Sequence, residues 1–207
     1  MWISYVRQWF RLTPLELIAL TARLEAGTKG REGMQAVINV IHNRRIHPKK
    51  RFIANPRIQS SSDILKETRS PYHAVILGKG QFSCYNLGDN QRTIAIQYTS
   101  SEVFEAFRRN NLMLRTAVEL CEDLRLGGLV DITGGADHYY ATYISDPLWT
   151  KAMVYRTTIG KHKFWSEPPH ILESPQRYNP SMAFASETTP VLPTAGLGAT
   201  IGLLGGY

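Results

Sequence analysis

Two helical segments near the start of the chain, separated by a glycine-containing turn, constrain the fold most strongly. The first begins at 13–16, Thr-Pro-Leu-Glu, where threonine is an N-cap, proline takes the first helical position and glutamate lies three residues after the cap. We expect this helix to end near Ala26, because Gly27 follows. The spacing of apolar residues from Glu32 to Arg44 predicts a second, amphipathic helix. Two such neighbouring helices indicate a mainly helical domain.

Shorter elements follow in the rest of the chain. We expect helices at Ser62–Glu67, Pro71–Leu77, Ser101–Asn110 and Leu112–Leu126, and a strand pair within Tyr155–Trp165. Six of the 11 prolines lie beyond residue 165, and 195–207 is a glycine-rich apolar run. The prediction is therefore an α+β fold, mainly α, over 1–165, followed by an extended Pro/Gly-rich tail at 166–207. We interpret this tail as an assembly or docking segment that binds partner subunits.

The net charge of +7 favours a polyanionic partner, which could be nucleic acid, an anionic membrane or a bacterial wall polymer. Only one of the 24 Lys and Arg residues lies beyond residue 165, so the folded part is the basic part. The best argument for nucleic acid is a basic cluster formed by Arg44, Arg45, Arg57 and the Lys-Lys-Arg run at 49–51. A charge run is most often a solvated face, so we do not expect nucleic acid to be the main partner.

No signal peptide and no membrane-spanning segment are visible, so we expect synthesis in the cytoplasm and no transmembrane helix. Cys84 and Cys121 form neither a disulfide framework nor a metal-binding pair, and we expect reduced thiols. His42 and His47 only superficially suggest a metal pair, because His42 lies on the polar face of its helix and Pro48 follows His47. We expect both histidines to be solvated, with no metal and no cofactor.

The segment 23–33, followed by 36–44, resembles the signature of the SleB-type cell wall hydrolases. In this resemblance Glu25 takes the first glutamate of the pattern, Glu32-Gly33 the later Glu-Gly, and Asn43-Arg44 the closing pair. Three further segments agree in order: 80–83 (Gly-Gln-Phe-Ser), 133–140 (Thr-Gly-Gly-Ala, then Tyr-Tyr at the end) and 159–165 (Ile-Gly-Lys-His-Lys-Phe-Trp). The sequence departs from the family at 27–29, where Gly-Thr-Lys replaces Arg-Gly-Glu, and at 141, where alanine replaces asparagine.

The resemblance implies a lysozyme-like fold that acts on the glycan strands of peptidoglycan as a lytic transglycosylase, with Glu25 as the catalytic residue. The substrate-binding residues that it suggests are Gln81, Phe82, Ser83, Tyr139 and Tyr140. Helical spacing places Glu16 and Arg23 on one exposed face and Glu25 on the opposite, apolar face. A carboxyl withdrawn from water favours its neutral form, so it can donate a proton to the glycosidic oxygen. Hydrolysis usually needs a second carboxylate, and none here matches a family motif.

Alternative interpretations stay open at this point. Glu25 could be a helix C-terminal residue turned to solvent, and the enzyme could be a muramidase. The domain could also be a catalytically inactive wall-binding or structural module. A wall enzyme without a signal peptide suits a bacteriophage, in which a holin or the virion brings it to the bacterial wall. A bacterial protein exported by another route is the alternative.

Overall fold

The structure, a computed structural model, describes residues 2–53 and 59–168. Its helices are α1 (Trp2–Val6), α2 (Pro14–Ala26), α3 (Gly30–Ile46), α4 (Gln59–Thr68), α5 (Pro71–Leu77), α6 (Arg92–Ala95), α7 (Ser101–Asn110) and α8 (Leu112–Arg125). Its strands are β1 (His138–Ala141), β2 (Val154–Ile159) and β3 (His162–Ser166). Short 3₁₀ segments lie at Arg7–Arg11, Gly27–Lys29, Ser83–Tyr85 and Leu148–Ala152. A helical body with a small sheet confirms the predicted α+β class.

Helix α2 lies at the centre of the helical body, packed by α3, α5 and α8. Its N-terminus has the predicted capping box, which contributes about 1 kcal/mol to helix stability. The prediction that Glu16 is exposed is wrong. Its carboxylate accepts hydrogen bonds from the Thr13 backbone N–H at 2.7 Å and the Ser101 hydroxyl at 2.8 Å. These donors compensate the carboxylate for the loss of water, so Glu16 can be buried. Most other residues of α2 are buried too, and the helix is enclosed on nearly every side.

Helix α3 extends two residues beyond the predicted bounds at each end, and its polar face is buried rather than solvated. His42 lies 3.1 Å from the Tyr72 hydroxyl through Nδ1, and burial lowers the pKa of His42 to about 3. His47 is also buried, with Nε2 3.3 Å from a Glu167 carboxylate oxygen. The expectation of two solvated histidines is therefore wrong, because α5 and the end of β3 supply polar partners that cover this face.

The basic cluster does not form one solvated face. Arg44 is only 6% exposed. Lys49 and Arg51 both form ion pairs with the carboxylate of Glu167, and the Lys49 ammonium lies 3.4 Å from it. Arg57 lies outside the described residues. Part of the charge of this cluster is thus paired with Glu167, and the absence of nucleic acid as the main partner stays an expectation.

The sheet has the strand order β1-β3-β2, with both pairs antiparallel. Strands β2 and β3 confirm the predicted strand pair, and Tyr139 of β1 lies opposite Phe164 of β3. We did not predict β1, because the sequence shows only a glycine turn that leads into these residues. A small apolar cluster joins α3 to the sheet, formed by Ala36, Val40, Ala136, Ile159 and Phe164. This cluster fixes the sheet against the helical body.

Both cysteines are free and buried, as expected. Within 2–53 and 59–168, no helix is long and apolar enough to cross a membrane. The predicted tail lies outside the described residues from 169 onwards, and its docking role stays a prediction.

Candidate active site

Glu25 lies in the last turn of α2, half-buried in the wall of an open cleft of about 540 Å³. The cleft is bounded by the end of α2, the segment after α5, and the sheet. All of the predicted substrate-binding residues line it as well: Gln81, Phe82, Ser83, Tyr139 and Tyr140. Segments that are more than 100 residues apart in the chain thus meet at one place.

Three donors converge on the Glu25 carboxyl group. The backbone N–H of Cys84 donates to Oε1 at 3.0 Å, and the hydroxyl of Tyr139 donates to Oε2 at 3.0 Å. The Ser83 hydroxyl adds a longer contact to Oε1 at 3.4 Å. Because each carboxyl oxygen has a donor, the group is held in one orientation at the edge of the cleft.

Tyr139 is fixed by ring packing on the inner face of the sheet. Its ring centroid lies 5.6 Å from that of Phe164 and 5.3 Å from that of His162. Burial and the charge of Glu25 raise the pKa of Tyr139 well above its ordinary value. The hydroxyl therefore stays protonated near neutral pH and can donate to the carboxylate.

Tyr140 borders the same cleft but directs its side chain differently. Its hydroxyl donates to Asp146 at 2.6 Å, and its ring stacks on Trp165 with a centroid distance of 6.4 Å. Successive residues of a strand point to opposite faces of the sheet. The structure thus separates the two tyrosines, and only Tyr139 contacts Glu25.

Arg44 connects α3 to the opposite wall of the cleft. Its Nη1 donates to the backbone oxygen of Gln81 at 3.0 Å, and its Nε donates to the backbone oxygen of Asp137 at 2.7 Å. The guanidinium also lies over the ring of Phe82, 4.8 Å from its centroid. Burial lowers the pKa of Arg44, although the carboxylates of Asp137 and Glu25 oppose this effect. Arg44 therefore holds the 81–82 segment in place.

A buried turn positions β1 and with it Tyr139. The Asp131 carboxylate accepts hydrogen bonds from the Thr133 backbone N–H at 2.7 Å, the Gly135 N–H at 2.9 Å and the Asn43 side-chain amide at 3.0 Å. Gly134 and Gly135 have φ values of +66° and +82°, a conformation that favours glycine. The polar face of α3 thus anchors the turn that leads into β1.

Sequence reasoning missed several contributors to the cleft, among them Arg23, Arg44, Asp89 and the backbone N–H of Cys84. Arg44 belongs to the Asn-Arg pair that closes the family pattern. The sequence therefore indicated that Arg44 matters, but not what it contacts. Asp89 lies in an irregular loop and matches no motif. The N–H of Cys84 has no sequence signal, because every residue except proline carries one.

The fold and the cleft together define a class of protein. It is a mainly helical domain in which several donors hold the carboxyl group of Glu25 in an open cleft, as in enzymes that transfer protons. The family model described as Cell Wall Hydrolase matches residues 28–165, about two thirds of the chain. The chain belongs to the cell wall hydrolase family. No curated protein and no solved structure matches it.

The matched range includes the 80–83 and 133–140 segments of the cleft and begins just after Glu25. The interpretation of Glu25 therefore depends on its geometry. Three residues of the matched range contact its carboxyl group, namely Ser83, Cys84 and Tyr139.

Proposed function

We propose that this chain cleaves the β-1,4 glycosidic bond between N-acetylmuramic acid and N-acetylglucosamine in peptidoglycan, as a lytic transglycosylase with Glu25 as its single acid and base. One observation carries the proposal. In a chain of the cell wall hydrolase family, the Glu25 carboxyl is held by the Cys84 N–H and the Tyr139 hydroxyl in the wall of an open cleft.

In the first half of the reaction, the protonated Glu25 gives its proton to the glycosidic oxygen, and the bond from that oxygen to C1 of the muramic acid breaks. A substrate that fills the cleft excludes bulk water from this step. The fixed orientation of Glu25 keeps the proton at one position.

In the second half, the C6 hydroxyl of the same muramic acid attacks C1, and its proton passes to the Glu25 carboxylate. A 1,6-anhydro ring forms, and Glu25 returns to its starting state. The Cys84 N–H and the Tyr139 hydroxyl stabilise the carboxylate between the two halves. The atoms balance without a second carboxylate and without water.

The predicted substrate-binding residues supply contacts suited to a glycan. Gln81 and Ser83 offer an amide and a hydroxyl to the acetamido groups of the sugars. Phe82 and Tyr140 also border the cleft, but both side chains are buried, so they shape its wall rather than offer a free ring face to a sugar.

A specific observation favours a second candidate, hydrolysis by a muramidase. Asp89 also lines the cleft, and its Oδ1 accepts a hydrogen bond from the Gln91 N–H at 2.8 Å. A second carboxylate could activate water or stabilise the sugar cation. The two mechanisms leave different chain ends, so the products distinguish them.

The test is digestion of purified sacculi in water enriched in ¹⁸O, followed by mass spectrometry of the released muropeptides. We expect 1,6-anhydro muramic acid ends without ¹⁸O. Glu25→Gln should lower the rate by at least about 100-fold, because it removes the proton donor and retains the shape. Glu119→Gln is the matched control, since Glu119 is exposed and pairs with Arg31 outside the cleft.

Reducing ends that carry ¹⁸O, together with inactivity of Asp89→Asn, would identify a muramidase instead. No released product from the wild type would favour an inactive wall-binding module. Full activity of Glu25→Gln would place the acid on another residue. Delivery to the wall by a virion or a holin stays a prediction from the sequence.

A further inference from the structure

The cleft carries more positive than negative side chains. Four cationic residues line it, namely Arg23, Lys29, Arg44 and Lys161, together with two carboxylates, those of Glu25 and Asp89. The sugars of a glycan strand are neutral, so cleavage of the glycosidic bond does not by itself require this excess. The charge indicates that the ligand brings anionic groups into the cleft.

Three of these cations are not used by the fold. Among residues 2–53 and 59–168, Arg23, Lys29 and Lys161 form no salt bridge with any carboxylate. Arg44 differs, because its guanidinium donates to the backbone oxygens of Gln81 and Asp137. Arg23, Lys29 and Lys161 therefore remain available to an anion from outside.

Arg23 gives a sharper indication than charge alone. Its Nε is buried and has no hydrogen-bond partner in the described part of the chain. An unsatisfied buried donor costs about 1–3 kcal/mol, so such a group marks a missing acceptor. A rotation of the guanidinium towards the cleft would present its N–H groups as a fork, which suits a carboxylate.

Gln91 shows the complementary feature on another part of the cleft wall. Its Oε1 is buried and also lacks a partner within the described residues. An amide oxygen accepts a hydrogen bond from an N–H group. The cleft thus offers unused positive charge and an unused acceptor, and both match a ligand with carboxylates and amide N–H groups.

We propose that Arg23, Lys29 and Lys161 bind the carboxylates of the glycan strand, which belong to its peptide stems or to muramic acid lactyl groups that have lost their stems. This inference rests on the proposed function and names the part of the substrate that the cations recognise. It assigns specificity to these three cations and chemistry to Glu25. Peptidoglycan is distinguished from a neutral glycan such as chitin by these carboxylates.

The test uses sacculi without teichoic acid in three forms. The first is native, the second has its carboxylates converted to amides with carbodiimide and ammonia, and the third is stripped of peptide stems by an amidase, which leaves lactyl carboxylates. We expect initial rates at low sacculus concentration to be about tenfold higher on the native than on the amidated form. Fast cleavage of the stripped form would identify the lactyl group as the source, and slow cleavage the stem.

The variants are Arg23→Gln and the double variant Lys29→Gln with Lys161→Gln, and each should reduce the preference for native sacculi to within about threefold. Lys151→Gln is the matched control, since Lys151 is exposed, basic and absent from the cleft. It should keep the full preference. Because neither lysine is buried, the double variant tests the inference even if Arg23→Gln fails to fold.

Equal wild-type rates on native and amidated sacculi would overturn the inference while leaving the proposed function intact. An unchanged preference in both sets of variants would also overturn it. Absence of cleavage on every form would instead count against the proposed function. The two failures are therefore distinguishable.

Discussion

At the scale of single residues, the Glu25 carboxyl depends on groups that come from distant parts of the chain. The Cys84 N–H and the Tyr139 hydroxyl each lie 3.0 Å from one of its oxygens. A carboxyl at a helix end would otherwise turn towards solvent, because nothing in its own helix directs it into the cleft. These two contacts decide which way Glu25 points.

Tyr139→Phe should therefore lower kcat about tenfold, because one donor to the Glu25 carboxyl is lost and a hydrogen bond to a charged group is worth about 1.5–3 kcal/mol. The ring contacts with Phe164 and His162 remain, so the free energy of unfolding should fall only by what this hydrogen bond contributes, about 1.5–3 kcal/mol. Release of soluble muropeptides and urea denaturation measure the two effects. Tyr155→Phe is the matched control, since its hydroxyl contacts Thr158 away from the cleft. An equal loss of kcat in both variants would contradict this assignment.

At the scale of elements, α3 does more than fill the core. Its polar face holds the 131–136 turn through Asn39 and Asn43, which bond to Ile132, Asp131 and the Ala136 backbone. This turn leads directly into β1. The motif residues on α3 and in the turn therefore act together as one anchor for the wall of the cleft.

Asp131→Asn should lower the free energy of unfolding by about 2–3 kcal/mol. The buried Asp131 carboxylate accepts hydrogen bonds from N–H groups, and the asparagine NH₂ group would face such donors instead of accepting from them. Urea denaturation followed by circular dichroism measures this loss. Asp123→Asn is the matched control, since Asp123 is exposed and its pair with Arg31 is at the surface. That variant should change stability by less than about 1 kcal/mol. Equal unfolding midpoints for the two variants would show that the turn is not an anchor.

Local signals explain which elements could be predicted. The capping box of α2, Ser100 before α7 and Asn111 before α8 define helix starts from neighbouring residues alone, and these bounds are nearly right. The burial of Glu16 and His42 could not be predicted, because it depends on which distant element brings a polar partner. The same reason explains why β1 was missed, since its register is set by β3.

For the candidate site, the motifs were sufficient to predict that Glu25, Ser83 and Tyr139 belong to one site. They could not show that Tyr140 turns to the outer face of the sheet, because that follows from strand alternation in an element that was not predicted. Asp89 and Arg23 were missed for a different reason. Both enter the cleft through packing alone, without a pattern in the sequence.

At the scale of the whole molecule, buried histidines couple stability to pH. Burial lowers the pKa of His42 to about 3 and that of His73 to about 4. His73 donates through Nε2 to the Leu12 backbone oxygen at 3.0 Å, while its buried Nδ1 has no partner in the described residues. Between about pH 4 and pH 6.5, both rings are therefore neutral in the folded protein, whereas histidines of the unfolded chain take up protons.

The unfolded state binds more protons below about pH 6.5, so the free energy of unfolding should fall as the pH decreases from there towards 4. For His73 alone the expected loss is about 3 kcal/mol. Urea denaturation of the wild type and of His73→Gln between pH 7.5 and 4 measures it. The variant should show a shallower dependence, since glutamine does not titrate. Parallel curves for the two proteins would contradict the assignment to His73.

Helix α2 is enclosed by α3, α5 and α8, and Glu25 lies at its end. A helix packed on nearly every side cannot tilt or slide without opening the interior, since close-packed cores resist deformation. Glu25 thus belongs to the part of the molecule with the least freedom of motion. Because Arg44 and the Glu25 contacts also hold the 81–84 segment, a ligand meets a cleft wall that is already formed.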